Sequence, residues 1–178
     1  MTERLKTRRL DLIAANADLM KADLEIPSRL GALLDASVPA SWPPGEYDRA
    51  AQEFFLSLLE KEGPDQVGWL GWYALLRAGG STAATLVGAC GYFGPPTPQG
   101  LVELGYSVCP EFRNQGYATE MTEALVARAR SHASVIQISA RTQSSNLASV
   151  KVLKKTGFCE VGPGPEPKSI RFLWRPSA

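Results

Sequence analysis

The run Arg113-Asn114-Gln115-Gly116-Tyr117-Ala118-Thr119 follows an alternating stretch, Leu104-Gly105-Tyr106-Ser107-Val108, and the turn residue Pro110. Read as strand, turn and helix start, it leaves several backbone N–H groups at the helix entrance without intrahelical partners, with the positive end of the helix dipole behind them. That chemistry suits a pyrophosphate held without many charged side chains. Gly116 lets phosphate oxygens approach the backbone where a Cβ would keep them off, and Ala118 is small enough to permit the same approach. Thr119 adds a hydroxyl and Arg113 a charge. Ordinary helix entrances share this shape, so the loop alone leaves a plain helix start open. Two other nucleotide sites fit worse: no Gly-Lys-Ser/Thr ends a P-loop, and there is no Gly-x-Gly-x-x-Gly.

A second cluster lies further on, Asn146-Leu147-Ala148-Ser149-Val150 and then Lys155-Thr156-Gly157-Phe158. Asn146 is placed to cap a helix and Gly157 to end it. Taken locally, both are also simple helix punctuation.

The elements that must carry these residues follow from periodicity. Leu10, Leu12 and Ala14 alternate with polar partners over Arg8–Ala14, which predicts a first strand. Asp18–Asp35 is helical with an interruption at Pro27, and Ser37–Gly45 is a proline-rich loop around Trp42. Ala51, Phe54, Phe55, Leu58 and Leu59 recur at helical spacing within Asp48–Glu62. Strands near Gly68–Leu76 and Ala83–Phe93 are joined by a hairpin signal, Arg77-Ala78-Gly79-Gly80-Ser81, and Leu101–Val108 is a further strand. Helix Gly116–Ser131, strand Val135–Ala140, helix Asn146–Thr156 and a last hairpin, Phe158–Val161 with Ser169–Trp174, complete the chain. This order predicts one α/β (α+β) domain over residues 1–178, with a mixed, mostly antiparallel sheet of about seven strands and helices on both faces.

Composition narrows the function. The chain of 178 residues carries 19 basic and 18 acidic side chains. It lacks the clustered basic footprint of a nucleic-acid binder. Arg4, Lys6, Arg8 and Arg9 form a small basic group without interleaved aromatics, read as a solvated strand entrance. Cys90, Cys109 and Cys159 are far apart in apolar surroundings, as buried free thiols of a reducing compartment would be, and no Cys/His cluster suits zinc. His132, the one histidine, sits near a predicted helix end, which argues against Ser–His or Cys–His catalysis. The N-terminus has neither a signal peptide's apolar stretch nor a membrane span, so a cytoplasmic protein without membrane partners is expected.

The order Glu-Leu-Gly-Tyr, Arg-x-x-Gly-Tyr-Ala-Thr-Glu, then Asn-x-x-Ser and Lys-x-Gly-Phe, resembles the GNAT N-acetyltransferases, in particular the RimJ/RimL-like branch of ribosomal-protein N-terminal acetyltransferases. The resemblance is specific from Leu101 to Phe158 and thins toward the N-terminus. It implies that Arg113, Asn114, Gln115, Gly116, Tyr117, Ala118 and Thr119 cradle the pyrophosphate of acetyl-CoA, without a metal. It also implies that Tyr106, Ser107 and Val108 pair with the pantetheine arm like an added strand, aided by Asn146. Two neighbouring parallel strands, near 102–108 and 135–140, would splay to admit the acyl group. Residues 101–158 would thus form the acetyl-CoA core and 18–62 the acceptor side. Ala118 stands where many relatives have Gly; Ala is common in this branch.

Acetyl transfer to an amine needs a neutral nucleophile, and an α-amino group, pKa about 7.7–8.0, needs far less help than a lysine-like amine near 10.4. Glu103 is the candidate to take the proton, directly or through water. It alternates with Val102 and Leu104, so a solvent-facing strand residue is the other reading. Ser149 matches the branch's suggested proton donor to the thiolate, and a plain helix hydroxyl is its alternative. Many relatives place a tyrosine just beyond the Gly-Phe pair, where this chain has Cys159-Glu160-Val161-Gly162. Backbone N–H groups near Ser107 and Val108 would polarise the thioester carbonyl. Of Trp42, Trp69, Trp72, Tyr73 and Tyr92, most read as core, and Trp42 reads as the lid of an acceptor cleft. The acceptor stays open between a protein N-terminus and a small amine such as an aminoglycoside, polyamine or amino-acid derivative. A non-catalytic acyl-CoA-binding module and a homodimer are further possibilities.

Overall fold

The computed structural model describes residues 2–79 and 83–175. Its strands form one sheet in the order β1 (Arg4–Lys6), β2 (Leu10–Ala14), β4 (Gly71–Leu76), β5 (Ala84–Tyr92), β6 (Leu101–Val108), β7 (Gln137–Gln143), β9 (Ser169–Trp174), β8 (Phe158–Pro163). A two-residue strand, β3 (Ala36–Ser37), adds to β5 in parallel. The sheet therefore has nine strands, β1 and β3 being the short ones. Segments this brief carry too little alternation to read from sequence. The predicted hairpin joins β4 and β5 antiparallel, and its residues Gly80 and Ser81 lie outside the described residues. The strand expected at Val135–Ala140 begins two residues later and runs on to Gln143.

Alternation along the strands feeds two separate cores. Trp72 and Ala74 of β4 join Leu10, Leu12, Val102, Leu104 and Val108 beneath α4 (Tyr117–Arg130) and α5 (Leu147–Lys155), which supply Met121, Leu125 and Leu153. Tyr73 and Leu75 face the other way, into a core with Leu19, Met20, Leu30 and Phe55 of α1 (Ala17–Glu25), α2 (Pro27–Leu34) and α3 (Arg49–Glu62). Helices thus cover both faces, as the sequence predicts. Capping follows side-chain chemistry: Asn16, Asp48 and Asn146 each accept an N–H of the helix they open, and Pro27 starts α2 after α1 has ended.

One departure from regular pairing matters most. β6 and β7 are parallel neighbours from Leu101↔Gln137 to Leu104↔Ala140, and there the ladder stops. Beyond that point, among the described residues, β6 pairs only with β5, through Val108↔Gly88, and β7 only with β9, through Gln143↔Ser169. The facing edges, Gly105–Val108 and Arg141–Gln143, part into a V. Unpaired backbone donors and acceptors along such an edge invite an extended ligand.

Candidate active site

At the entrance of α4, Gly116 adopts φ 83°, and among the described residues no side chain caps the helix. Asn114, also left-handed at φ 60°, bends the chain just before it. Arg113, Asn114, Gln115 and Gly116 are exposed. The first turn of a 14-residue helix thus presents amides without a competing side-chain acceptor. Arg113, expected to add charge here, turns back: its Nε donates to the Val108 carbonyl at 3.0 Å.

Arg9 is the cation that the fold brings to this point. Its guanidinium carbon lies 4.4 Å from the centroid of the Tyr117 ring. A Cβ on Gly116 would sit 3.3 Å from Arg9 Nη2. The Glu120 carboxylate holds it there, accepting from Arg9 Nε at 2.9 Å and from the Arg9 N–H at 2.6 Å. Thr7 Oγ and the Leu10 N–H also donate to Glu120. Partial burial alone would raise the Glu120 pKa, but these hydrogen bonds and the Arg9 charge override it and hold the carboxyl below its usual range. The basic group read as a solvated strand entrance is therefore divided: Arg4, Lys6 and Arg8 are exposed, whereas Arg9 is half-buried and engaged.

Glu103 lies at the foot of the V. With Gly105 and Ser107 it belongs to the α1–α3 face: the Phe93 ring, tilted against Phe55, would meet a Gly105 Cβ at 3.2 Å, and Ser107 Oγ donates to the Pro44 carbonyl at 2.8 Å. Glu103 is not a solvated strand residue. Arg141 Nε donates to its Oε1 at 2.5 Å, and Arg141 Nη1 reaches Glu166 Oε1 at 2.5 Å. Burial would lower the Arg141 pKa, and the two carboxylates reverse that and raise it. The Glu166 carboxyl is held low by its own backbone N–H first and by Arg141 after it.

On the opposite, α4–α5 face, Tyr106 reaches across the V to α5. Its hydroxyl lies 3.0 Å from Ser149 Oγ and 3.2 Å from the Ser149 carbonyl oxygen. Burial pushes the phenol pKa up to about 12, with the Ser149 hydrogen bond opposing, so it stays protonated. The pair joins β6 to α5 across 43 positions of sequence. Asn146 Oδ1 accepts the Ser149 N–H at 3.1 Å, the cap its position suggested.

Trp42 corrects its expected role. It is 9% exposed, and its Nε1 donates to Asp23 Oδ1 at 2.6 Å. The hydroxyls of Tyr47 and Tyr73 both donate to Asp23 Oδ2 at 2.9 Å. The indole is the anchor of its loop in the α1–α3 core, because a buried carboxylate demands donors that the loop supplies. Trp72, Tyr73 and Tyr92 are core as read, and Trp69 is half-buried against His132 and Arg128.

The sequence from residue 24 to 159 matches the family model described as an acetyltransferase (GNAT) domain. The chain belongs to the GNAT acetyltransferase family. A relative from Bacillus subtilis (strain 168), named uncharacterized N-acetyltransferase YjdG, is 28% identical over 154 residues, covering 86% of this chain and 88% of that one. Among solved structures the GNAT fold is matched by RimL, a ribosomal L7/L12 α-N-protein acetyltransferase in complex with coenzyme A. Its TM-score is 0.65 at 16% identity, over 96% of this chain and 97% of that one. It is also matched by the microcin C7 self-immunity acetyltransferase MccE in complex with acetyl-CoA and AMP, with TM-score 0.61 and 11% identity over 93% and 92%.

For this GNAT enzyme, the fold gathers Tyr106, Ser107, Val108, Asn146 and Ser149 around the V and its α5 side, and sets Arg113–Thr119 at the mouth of α4. It leaves Trp42 out. It places Phe93, Arg141 and Glu166 beside the V and Arg9, read from the sequence as solvated, at the α4 mouth. Arg9 and Glu120 carried a signal only as opposite charges at a strand start and a helix start, which nothing in the sequence paired.

Proposed function

We propose that this GNAT enzyme transfers the acetyl group of acetyl-CoA to an α-amine at the N-terminus of a protein or peptide, by direct attack in a ternary complex. The observation that carries the reading is the V between β6 and β7, with a carboxylate at its foot on one face and a phenol–serine pair on the other.

The residues present fit acetyl-CoA. Gly116–Thr119 offer uncapped amides to the pyrophosphate, and the open edge Gly105–Val108 offers strand-like pairing to the pantetheine arm. Amides near Ser107 and Val108 polarise the thioester carbonyl. The amine approaches from the α1–α3 face past Phe93, which is 46% exposed beside Gly105. Glu103, oriented through Oε1 by Arg141, takes the amine's proton directly or through water. Tyr106 and Ser149 donate hydrogen bonds to the departing thiolate, whose ordinary pKa, about 8.5, makes this the lesser demand. An α-amine is favoured as acceptor because about half or more of it is neutral at pH 8, so a single carboxylate suffices. The RimL neighbour acts on such an amine, which supports the reading. One continuous sheet supports a single catalytic domain, and three free cysteines support a cytoplasmic setting.

Small amines are the second reading, favoured by the exposed Phe93 and Phe54 rings on either side of Phe55, which offer apolar surface to a compact acceptor. An acetyl-CoA turnover screen over N-terminal peptides and small amines decides between them. Turnover confined to small amines would replace the first reading with the second.

A further inference from the structure

Arg113, the charged residue of the α4 loop, donates its Nε to the Val108 carbonyl at the end of β6, and its Nη2 lies 3.6 Å from where a Cβ on Gly45 would be, beside the Trp42 loop. The cation that faces the α4 entrance comes instead from the far N-terminal turn between β1 and β2. Two contacts fix the Arg9 side chain: Glu120 Oε2 holds Nε at 2.9 Å, and the Tyr117 ring lies 4.4 Å from the guanidinium carbon. They leave Nη2 beside Gly116, 3.3 Å from where a Cβ on that glycine would be. Among the described residues no hydrogen bond runs from its terminal nitrogens. The neighbouring carboxylate does not repel an anion as a bare Glu would. Glu120 is absorbed by donors from Thr7, Arg9 and Leu10. The arrangement spends Nε and the flat face of the guanidinium on positioning and leaves the terminal fork at a helix end whose amides have no side-chain cap. A planar fork held this way suits two oxygens of one phosphate, which a lysine would meet only as a point charge.

We propose that Arg9 is a ligand of the 5′-diphosphate bridge of acetyl-CoA, closing the α4 cradle from the side opposite its loop. The proposal rests on the acetyl-CoA reading of that cradle. The diphosphate, rather than the ribose 3′-phosphate, is assigned because Arg9 Nη2 and the α4 amides meet at the same residue, Gly116. Glu120 is then a positioning residue: it docks the β1–β2 turn onto α4 and aims Arg9.

The test compares kcat/KM, and the Kd of the donor measured by calorimetry without an acceptor amine, for wild type, Arg9→Gln and Arg9→Lys on three acetyl thioesters: acetyl-CoA, acetyl-3′-dephospho-CoA and acetylpantetheine, which carries no diphosphate. Arg9→Gln is expected to lose roughly 10- to 100-fold on both diphosphate-bearing donors, the range for removing a charge-assisted hydrogen bond. The loss should shrink to about twofold or less on acetylpantetheine, because uniform binding of the diphosphate is what is missing. Arg9→Lys should fall between the two. An equal loss on all three donors would overturn the proposal in favour of a structural role, and a loss that disappears with the dephospho donor would overturn the diphosphate assignment. Should Arg9→Gln fold poorly, the Arg9→Lys comparison reads the same difference, since the Arg9 backbone N–H still serves Glu120. A wild-type enzyme that uses acetylpantetheine as well as acetyl-CoA would remove the cradle reading itself, a failure distinct from that of Arg9 alone.

Discussion

Two carboxylates, one on each face of the sheet, tie distant segments together and are perturbed in opposite directions. Asp23, 4% exposed in the α1–α3 core, receives donors from Trp42, Tyr47 and Tyr73. Burial outweighs those donors and raises its pKa. Glu120, at the rim of α4, receives a comparable set from Thr7, Arg9 and Leu10, and there the donors outweigh the burial. The difference lies in solvent access. A deep knot locks the loop from Trp42 to Tyr47, whereas the rim knot leaves the terminal nitrogens of Arg9 without a hydrogen bond among the described residues. The same contrast runs through the two faces at large. Groups proposed to meet acetyl-CoA are mostly backbone amides and an open strand edge, and those proposed to serve the amine are side chains already paired with each other, Glu103 with Arg141 and Arg141 with Glu166.

The largest effect is expected on the backbone-built side. Gly116→Asp places a side chain and a negative charge at a residue with φ 83°. It should abolish the thermal stabilisation by acetyl-CoA, which in the wild type reaches about 2.7 kcal/mol at 100 times Kd. A shift that survives in a folded variant would move the pyrophosphate elsewhere. Next comes Glu103→Gln, expected to lower kcat by roughly 10²–10⁴-fold while leaving acetyl-CoA binding intact. A fall smaller than about threefold would make the pair with Arg141 a purely structural one.

Trp42→Ala sharpens the contrast from the other face. Loss of a buried indole and of one donor to Asp23 should cost about 3–5 kcal/mol in chemical denaturation, with KM for both substrates rising together in whatever folded enzyme remains. A rise in KM for the amine alone, without loss of stability, would return Trp42 to a cleft wall. The smallest effects are the pH dependences of the two knots. Asp23, its folded pKa raised above 3.8, binds its proton more tightly when folded. Its contribution therefore favours the native state at low pH and declines as pH rises through the folded value. Glu120, lowered from 4.5, has the opposite sign: its contribution is present above that value and is lost as pH falls through the folded one. Stability curves should lose a downward slope with rising pH in Asp23→Asn and an acid limb in Glu120→Gln. Unchanged curves would show that the knots do not differ as their burial implies.

Much of the cofactor half is legible in the chain because its signals are local. A glycine at a helix entrance, a proline turn before it and an alternating strand that ends there lie within the span from Leu101 to Thr119, and helix physics gives that order a meaning. Alternation and helical spacing likewise determined the five helices and the longer strands, since each reports which face of one element seeks the core. Three-residue β1 and two-residue β3 escaped for the same reason, having no period to show. Everything that depends on which side chains meet was decided by tertiary packing. Tyr106 finds Ser149 across the parting of two strands, Arg141 joins Glu103 to Glu166, and Arg9 meets Glu120 across 111 positions. The burial of Trp42 was hidden in the same way: a proline-rich loop looks exposed until the carboxylate of Asp23 takes its indole N–H. A residue's type states which bonds it is able to make, and only the fold brings the partner within 3 Å.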